Sequence, residues 1–342
     1  MSNVLELDAV SVAYNIPTGR WGRRQPRRVV DGVDLHIAEA EIVGLVGESG
    51  SGKSTIARGA LRLLPIDAGR SRLDGVDITD LSERTLRPLR RHAQVVFQDP
   101  YSSLDPGMTV HQLVAEALEL QGRLSRRDRR SRVLQLLTMV GLNRDHLDRY
   151  PHEFSGGQRQ RIAIARALAP SPRLVVCDEA VSALDVSTQN QILTLLKQLR
   201  DETGTAFLFI AHDLAVVRKI ADRTVVMYCG KVVESGPTEH VFIAPQHPYT
   251  VALLSAIPVA SPTRQRRRQR ILLTGDPPNP LDPPAGCRFH TRCPFAMDRC
   301  HVEAPVKRVL PNGGTVHCHL HDEPGPLPWA DGQREETVRL PV

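Results

Sequence analysis

The stretch Gly47-Glu-Ser-Gly-Ser-Gly-Lys-Ser54 follows the apolar run Glu41-Ile-Val-Gly-Leu-Val46. Its spacing, G-x-x-x-x-G-K-S, is typical of a phosphate-binding loop, in which glycines allow backbone N–H groups to converge on phosphate oxygens. We expect Lys53 to reach the β- and γ-phosphates of a nucleotide, and the hydroxyl of Ser54 to bind Mg²⁺. A helix predicted from Lys53 to Leu64 would direct the positive end of its dipole at the same anion. These residues therefore predict a buried strand, a phosphate-binding loop and a helix, which together begin an α/β nucleotide-binding fold.

A second apolar run ends in two carboxylates, in Leu174-Val-Val-Cys-Asp178-Glu179. A buried strand that ends in this way places Asp178 at the carboxyl edge of the sheet, close to the phosphates and Mg²⁺. Glu179 can orient or deprotonate an attacking water. Taken alone, the run fits a strand that ends in a solvated acidic turn equally well. Together with the phosphate-binding loop, it predicts hydrolysis of the bound nucleotide.

The order of the predicted elements indicates a parallel sheet, because strands alternate with helices that can serve as crossover connections. Beyond residue 173, strands are predicted at 174–177, 206–211 and 224–228, and helices at 187–202 and 213–222. Residues 100–170 are predicted to be mostly helical, with one helix from Ser125 to Val140, and the Arg-, Pro- and Gly-rich residues 17–28 are predicted to form a loop. Proline becomes frequent after residue 236, so we divide the chain into a domain over 1–240 and an extension over 241–342.

The positive charge of the chain is concentrated in three segments. The 342 residues carry a formal net charge of +6, and sixteen arginines lie in residues 20–28, 123–132 and 264–270, which leaves an acidic remainder. An even basic coat, as nucleic-acid-binding proteins often show, is not supported, so we expect no nucleic-acid partner. The longest clearly apolar run, 206–211, is far shorter than the ~20 residues of a membrane-spanning helix. The N-terminus lacks the pattern of a secretory signal, and we therefore expect a cytoplasmic location.

Further motifs occur in the order that one family shows. They are Tyr14, Gln98 in Val96-Phe-Gln-Asp-Pro100, Phe154-Ser-Gly-Gly-Gln-Arg-Gln-Arg161, Ser182-Ala-Leu-Asp185 and His212 in Ile210-Ala-His-Asp213. They resemble the adenine-stacking aromatic residue, Q-loop, signature, D-loop and switch histidine of ABC-transporter ATPases, with Phe154 where the family has leucine. The resemblance covers about residues 1–258. It implies a P-loop NTPase fold with a RecA-like core, an antiparallel β subdomain and an α-helical signature subdomain over about 100–170, followed by a small Cys-rich extension.

The resemblance also implies a role for each motif. In the family, each ATP lies between the phosphate-binding loop of one subunit and the signature of another. The nucleotide-binding residues are then Tyr14, Gly47, Glu48, Ser49, Gly50, Ser51, Gly52, Lys53, Ser54, Thr55, Ser155, Gly156, Gly157, Gln158 and Asp185. The implied catalytic residues are Lys53, Gln98, Glu179 and His212, and the implied Mg²⁺ ligands are Ser54, Gln98 and Asp178. This complete set predicts an ATPase that is competent for hydrolysis.

Three longer segments resemble the ATPase subunits of oligopeptide, dipeptide and nickel importers. They are Phe97–Pro106, Asp178–Ser187 and the region His247-Pro-Tyr-Thr250 with Leu253–Pro258. The resemblance implies a motor at the cytoplasmic face of the membrane, paired with a second ATPase subunit, two transmembrane permeases and an extracytoplasmic substrate-binding protein. Peptide is the expected cargo, with nickel or another small solute as the alternative, and a soluble non-transport ABC ATPase as a further one. The sequence does not determine the cargo or whether the ATPase pair is a homodimer.

The extension carries a cluster of cysteines at about 285–320, namely Cys287, Cys293, Cys300 and Cys318. In a cytosolic protein such a set indicates metal binding rather than disulfides. The spacing matches neither zinc ribbons nor ferredoxins, but it resembles the extension of some peptide-importer ATPases, where four cysteines hold a 4Fe–4S cluster. Zinc stays open because four histidines lie nearby (His290, His301, His317 and His319), and so do free or disulfide-forming thiols. Cys177 and Cys229 are predicted to be buried, apolar thiols.

Overall fold

The computed structural model describes residues 2–18, 23–99, 103–119, 124–257, 273, 275–323 and 325–329. The strands are β1 (Asn3–Thr18), β2 (Arg23–Ala38), β3 (Ile42–Val46), β4 (Ala68–Leu73), β5 (Val76–Asp77), β6 (Ala93–Val96), β7 (Leu174–Asp178), β8 (Ala206–Ala211), β9 (Arg223–Tyr228), β10 (Lys231–Pro237), β11 (Arg308–Val309) and β12 (Thr315–Val316). The helices are α1 (Lys53–Ala60), α2 (Glu83–Leu86), α3 (Val110–Leu118), α4 (Arg126–Met139), α5 (Gly156–Leu168), α6 (Val186–Thr203), α7 (Leu214–Ile220), α8 (Thr238–Ile243), α9 (Pro248–Ser255) and α10 (Asp298–Val302).

An eight-stranded sheet forms the centre, in the order β11-β12-β10-β9-β3-β8-β7-β6. The five strands from β9 to β6 pair in parallel, which confirms the predicted parallel sheet. Every residue of β3, β7 and β8 is buried, as expected for strands that are covered on both faces. Because all five run in the same direction, the loops that follow β3, β6, β7 and β8 meet at one edge of the sheet.

The two faces of this sheet are covered by different layers. Along β8, Phe207 and Phe209 belong to a core shared with the helical part of the chain. The alternate residues Leu208 and Ile210 belong to a second core, shared with α1 and a smaller sheet. Alternation of side chains between the faces of a strand explains this division. The predicted ABC ATPase architecture of core, antiparallel β subdomain and helical subdomain is thus confirmed.

The smaller sheet is antiparallel, in the order β2-β1-β4-β5, and it corrects one expectation. The prediction of a loop over 17–28 was wrong for residues 17–18, which end β1, and for residues 23–28, which begin β2; residues 19–22 lie outside the described residues. Tyr14 pairs with Arg27 and Asn15 with Pro26, so the backbone of this segment belongs to a ladder. The side chains of residues 24–28 misled the prediction because they are exposed and do not pack in a core. Residues 20–22 of the first arginine segment and the whole of segment 264–270 lie outside the described residues.

Among the described residues of 100–170, the α-helices are α3, α4 and α5, and the predicted helical part is thus observed. Ser125 caps α4 by accepting a hydrogen bond from the N–H of Asp128 at 3.1 Å. Two of the arginines that follow lie near carboxylates, with Arg129 at 3.4 Å from Glu119 and Arg130 at 3.5 Å from Asp148. These ion pairs offset the unfavourable position of cations near a helix N-terminus. By contrast, α1 ends at Ala60, four residues before the predicted end.

The C-terminal extension adds to the main sheet. Strand β12 pairs with β10, so that Glu234 lies opposite Val316. Glu234 is 1% exposed, and its carboxylate accepts the N–H groups of Gln246 and His247 just before α9. This buried carboxylate therefore anchors the start of α9. No helix among the described residues is long and apolar enough to cross a bilayer.

Candidate functional site

The phosphate-binding loop leaves β3 and ends in the first turn of α1. Gly47 has φ of 153°, and a Cβ at this position would lie 2.2 Å from the carbonyl oxygen of Met227. Gly52 has φ of 100°, in the left-handed region that favours glycine. The loop is also tied to the neighbouring strand connection, because Gly230 donates its N–H to the carbonyl of Ser51 at 2.8 Å. The glycines are therefore required both by backbone conformation and by close packing.

Lys53 lies inside this loop and is 5% exposed. Its ammonium group donates to the carbonyl oxygens of Gly47 at 2.8 Å and Glu48 at 2.9 Å. Burial lowers the pKa of Lys53, and the neighbouring carboxylates of Glu179, Asp178 and Glu48 oppose this shift. The loop thus curls around a cation that a phosphate group can recruit.

Asp178 and Ser54 come together at the edge of the sheet. The hydroxyl of Ser54 donates to Oδ1 of Asp178 at 2.7 Å, across 124 residues of sequence. A hydroxyl and a carboxylate are the oxygen ligands that Mg²⁺ prefers. The buried Oγ of Ser51, in the same loop, has no hydrogen-bond partner in the part of the chain that the structure describes. The side-chain oxygens of Ser51, Ser54 and Asp178 suit contact with phosphate or Mg²⁺. The residues present therefore fit the nucleotide and Mg²⁺ that the sequence predicts.

Glu179 faces His212 across the same edge. The distance between Oε2 of Glu179 and Nδ1 of His212 is 3.6 Å, and the two side chains are 23% and 59% exposed, respectively. The φ of Glu179 is 51°, an uncommon value for a residue other than glycine. Its N–H donates to the carbonyl of Ile210 at 3.0 Å, which holds this backbone in place. Backbone strain of this kind clusters at functional sites.

Gln98 follows β6 and contacts the site through Ser182, the first residue of the D-loop motif. Its Nε2 donates to Oγ of Ser182 at 3.3 Å. The Ser182 hydroxyl in turn donates to the carbonyl of Glu179 at 2.9 Å. Gln98 is therefore linked to the backbone of Glu179, and its contact in this structure is with Ser182 rather than with Ser54 or Asp178.

Tyr14 reaches the site from the antiparallel sheet. Its hydroxyl lies 3.4 Å from Oγ1 of Thr55, which follows the phosphate-binding loop in α1. Tyr14 is 37% exposed. An exposed ring beside the loop is placed where a flat base can stack on it.

The signature begins α5 away from this cluster. Ser155 caps the helix by accepting the N–H of Gln158 at 3.3 Å, and Gln158 accepts the N–H of Ser155 at 3.0 Å. A Cβ on Gly157 would lie 2.3 Å from Cγ2 of Thr188 in α6, so packing requires this glycine. Among the described residues, no hydrogen bond or ion pair joins Ser155, Gly156, Gly157 or Gln158 to the phosphate-binding loop.

Asp185 caps α6, and its Oδ1 accepts the N–H of Thr188 at 3.0 Å. Hydrogen bonds from Ser187 and Thr188 lower the pKa of this fully exposed carboxylate. The structure thus gives Asp185 a local capping contact, and its direct contact with nucleotide stays a prediction.

The four extension cysteines line one cavity of about 10 Å³, together with His247, His290 and His319. The N–H of Cys287 donates to the carbonyl of Cys300 at 2.8 Å. All four thiols are free, and burial raises the pKa of Cys293 to about 11 and of Cys318 to about 12. Across the described parts of the chain, no three His, Cys, Asp or Glu side chains are arranged to hold a metal ion. Cys177 and Cys229 are buried, as predicted.

The sequence analysis missed two features beside the site. Tyr249 and Arg292 of the extension both contact Glu48 in the phosphate-binding loop. An apolar cavity of about 620 Å³ lies between the sheet and the helical part, lined in part by Leu104, Ala163 and Phe97. Phe97 is 42% exposed and directly precedes Gln98. The sequence shows Phe97 only as an aromatic residue before Gln98, which does not by itself indicate a cavity.

Two family models match the chain. The ABC transporter model matches residues 30–182, and the model of the oligopeptide/dipeptide transporter C-terminal region matches residues 233–300. Solved structures with a similar fold include a dimeric, post-hydrolysis ATP-binding cassette, MJ0796, bound to ADP and Pi. It has a TM-score of 0.60 and 32% identity, and the match covers 68% of this chain and 98% of that one. CbiO1 from Clostridium perfringens has a TM-score of 0.63 and 28% identity, with 71% and 92% covered.

Curated relatives match over almost the whole chain. A probable peptide ABC transporter ATP-binding protein of Sinorhizobium fredii is 48% identical, over 93% of this chain and 90% of its own length. The oligopeptide transport ATP-binding protein OppF of Salmonella typhimurium is 47% identical, over 89% and 92%. This chain belongs to the family of ATP-binding proteins of ABC transporters, among the members that carry the oligopeptide/dipeptide transporter C-terminal region.

Proposed function

We propose that this chain is the ATP-hydrolysing motor subunit of an importer that takes up oligopeptides or dipeptides. The observation that carries the proposal is the meeting of the Ser54–Asp178 pair and the Glu179–His212 pair at one edge of the sheet. The peptide assignment is supported by the names of the relatives and by the C-terminal region that they share with this chain. Nickel or another small solute remains the alternative cargo.

The reaction proposed is hydrolysis of ATP, in which the water oxygen bonds to the γ-phosphorus, the bond from that phosphorus to the bridging oxygen breaks, and ADP and phosphate are released. Glu179 orients or deprotonates the water, His212 donates a hydrogen bond to the γ-phosphate, and Lys53 contacts the β- and γ-phosphates. Ser54 and Asp178, with Gln98, would hold Mg²⁺, which neutralises phosphate charge when it is bound. Since Gln98 contacts Ser182 in this structure, we propose that it reaches the metal only when nucleotide draws its loop inward.

The signature is proposed to act on the nucleotide of a second ATPase subunit. Ser155 is exposed at the N-terminus of α5, where free N–H groups and the helix dipole favour an anion. The support for action across a dimer is that, among the described residues, no hydrogen bond or ion pair joins Ser155 or Gln158 to the loop of the same chain. The phosphate would then be sandwiched between two subunits.

Two permeases and an extracytoplasmic substrate-binding protein complete the proposed transporter, with this subunit at the cytoplasmic face of the membrane. The apolar cavity beside Phe97 is a suitable docking place for a permease segment, because it lies next to Gln98. A permease segment that docks there can move the Q-loop, which would link transport of the cargo through the permease to ATP hydrolysis.

We also propose that Cys287, Cys293, Cys300 and Cys318 bind a 4Fe–4S cluster. The support is the set of four free thiols around one cavity. The cavity of about 10 Å³ holds no more than one water-sized sphere, so binding requires the thiols to separate and ionise. Anaerobically purified protein should be brown, with absorbance near 400 nm and iron. Stoichiometric zinc without iron, or neither metal, would contradict the cluster.

The proposed function is tested by purifying the chain with its permeases and reconstituting them in vesicles with the binding protein. Uptake of labelled peptide that depends on ATP supports the proposal. Nickel uptake without peptide uptake would assign the alternative cargo. Robust ATP hydrolysis by a chain that binds no membrane subunit would favour a soluble, non-transport ATPase.

A further inference from the structure

The C-terminal extension contacts the phosphate-binding loop through an ion pair between a buried arginine and a partly buried glutamate. Nη1 and Nη2 of Arg292 donate to the two carboxylate oxygens of Glu48 at 2.7 and 3.3 Å. The side chain of Arg292 is 7% exposed and that of Glu48 is 27% exposed. Two parallel hydrogen bonds of this kind fix orientation as well as charge. The pair joins residues 244 positions apart, from the cysteine region to the loop.

A second residue of the extension holds the backbone of Glu48. The Glu48 N–H donates to the hydroxyl of Tyr249 at 2.8 Å. Tyr249 is fully buried, and its ring packs against Tyr228 and Phe289 with centroid distances of 4.6 and 5.4 Å. Phe289 and Arg292 belong to the same short segment, so this aromatic cluster supports both contacts to Glu48.

Glu48 in turn holds the catalytic cation. Its carbonyl accepts a hydrogen bond from the Lys53 ammonium at 2.9 Å. The extension therefore holds the side chain of Glu48 through Arg292 and its N–H through Tyr249. The remaining polar group of Glu48, its carbonyl, positions Lys53. No other residue of the loop is held at three polar groups in this way by the hydrogen bonds described.

The Arg292–Glu48 pair also decides the local charge. Glu48 belongs to the phosphate-binding loop, and its negative charge opposes the lowering of the Lys53 pKa by burial. With Arg292 in place, the carboxylate is neutralised. Without Arg292, an unpaired and partly buried negative charge would repel the nucleotide, and breaking such a pair is costly.

We propose that Arg292 and Tyr249 are positioning residues of the ATP site, through which the C-terminal extension sets nucleotide affinity. They act on Glu48, which holds Lys53 and which Arg292 neutralises. The inference rests on the proposed binding of ATP by the loop Gly47–Ser54, and it does not depend on a metal in the extension.

The test measures the dissociation constant for MgATP, with KM and kcat of the ATPase, on the full chain. Arg292→Met should weaken MgATP binding about tenfold or more, because it leaves Glu48 unpaired, and raise KM more than it lowers kcat. Arg292→Lys should restore most of the affinity, since it keeps the charge. Tyr249→Phe, which keeps the ring, should weaken binding several-fold.

The matched control is Arg223→Met. Nε and Nη2 of Arg223 donate to the two carboxylate oxygens of Glu41 at 2.8 and 3.4 Å, and both side chains are 17% exposed. Arg223 begins β9 and pairs with Val43 near the start of β3, at the end of that strand opposite the phosphate-binding loop. This variant should lower the thermal midpoint about as much as Arg292→Met while leaving MgATP affinity unchanged. Equal losses of affinity in both variants would show that Arg292 acts only through general stability, which overturns the proposal.

The double variant Glu48→Gln with Arg292→Met separates repulsion from misfolding. Removing the carboxylate should restore MgATP affinity to within a few-fold of that of Glu48→Gln alone. If the double variant binds as poorly as Arg292→Met, or if Arg292→Met binds like the wild type, the proposal is wrong. If the wild-type chain itself does not bind MgATP, the proposed function fails, which is a different outcome.

Discussion

Protonation of Glu234 should couple the stability of this protein to pH. Burial raises the pKa of Glu234 to about 7, against an ordinary value of 4.5. Between these values the native state keeps a proton that the unfolded chain has lost. The free energy of unfolding therefore falls as pH rises from about 4.5 to about 7, and this contribution stays lost at higher pH. The pKa difference corresponds to about 3 kcal/mol.

The assay is urea unfolding at several pH values, for the wild type and Glu234→Gln. Burial lowers the pKa of His247 to about 3 and of His317 to about 4. Their contribution to the free energy of unfolding is therefore lost as pH falls below 6.5. Subtracting the two curves cancels these histidine contributions. Gln offers one acceptor for the two N–H groups, so the variant should be less stable at pH 5. Its deficit should shrink by about 3 kcal/mol by pH 8.

The matched control is Glu239→Gln. This carboxylate is exposed and paired with Arg218, which lowers its pKa. The ion pair of Glu239 stabilises the native state above the ordinary pKa of a glutamate, and this contribution is lost as pH falls. The stability difference between wild type and Glu239→Gln should therefore not shrink between pH 5 and pH 8. A difference between wild type and Glu234→Gln that stays constant from pH 5 to pH 8 would refute the reasoning.

Three further predictions concern the nucleotide site. Gly47→Ala should abolish MgATP binding, since its Cβ would lie 2.2 Å from the Met227 carbonyl oxygen. The control Gly75→Ala, at a glycine with φ of 77° but open space around it, should alter only stability. Normal MgATP binding by Gly47→Ala would contradict the loop geometry. Tyr14→Ala should raise KM for ATP several-fold whereas Tyr14→Phe should not, and equal KM values in both would argue against stacking. Asp178→Asn should raise the Mg²⁺ concentration for half-maximal ATPase activity about tenfold or more, and an unchanged Mg²⁺ dependence would remove Asp178 from the metal site.

The sequence was informative wherever a single local pattern determines the structure. The runs that became β3, β7 and β8 are apolar throughout because parallel strands are buried on both faces. The glycine spacing of the phosphate-binding loop reports backbone angles that only glycine adopts readily. Asp178 and Glu179 could be placed at the sheet edge because they directly follow such a run.

Contacts between distant segments could not be predicted in this way. Arg292 and Glu48 are 244 residues apart, and an arginine beside a cysteine gives no sign of its partner. Tyr249 was noted only as part of a motif of the extension, although its hydroxyl binds the loop. The strand over 23–28 was missed because it pairs with β1, while the side chains of residues 24–28 are exposed and mostly polar.

The central claim is that Glu179 drives ATP hydrolysis in this subunit. The most direct measurement is the ATPase turnover of Glu179→Gln, assembled with its permeases, together with its affinity for MgATP. The substitution keeps the size of the side chain but removes the base, so kcat should fall by about 100-fold or more while MgATP binding is retained. Unchanged turnover in the assembled complex would contradict the account.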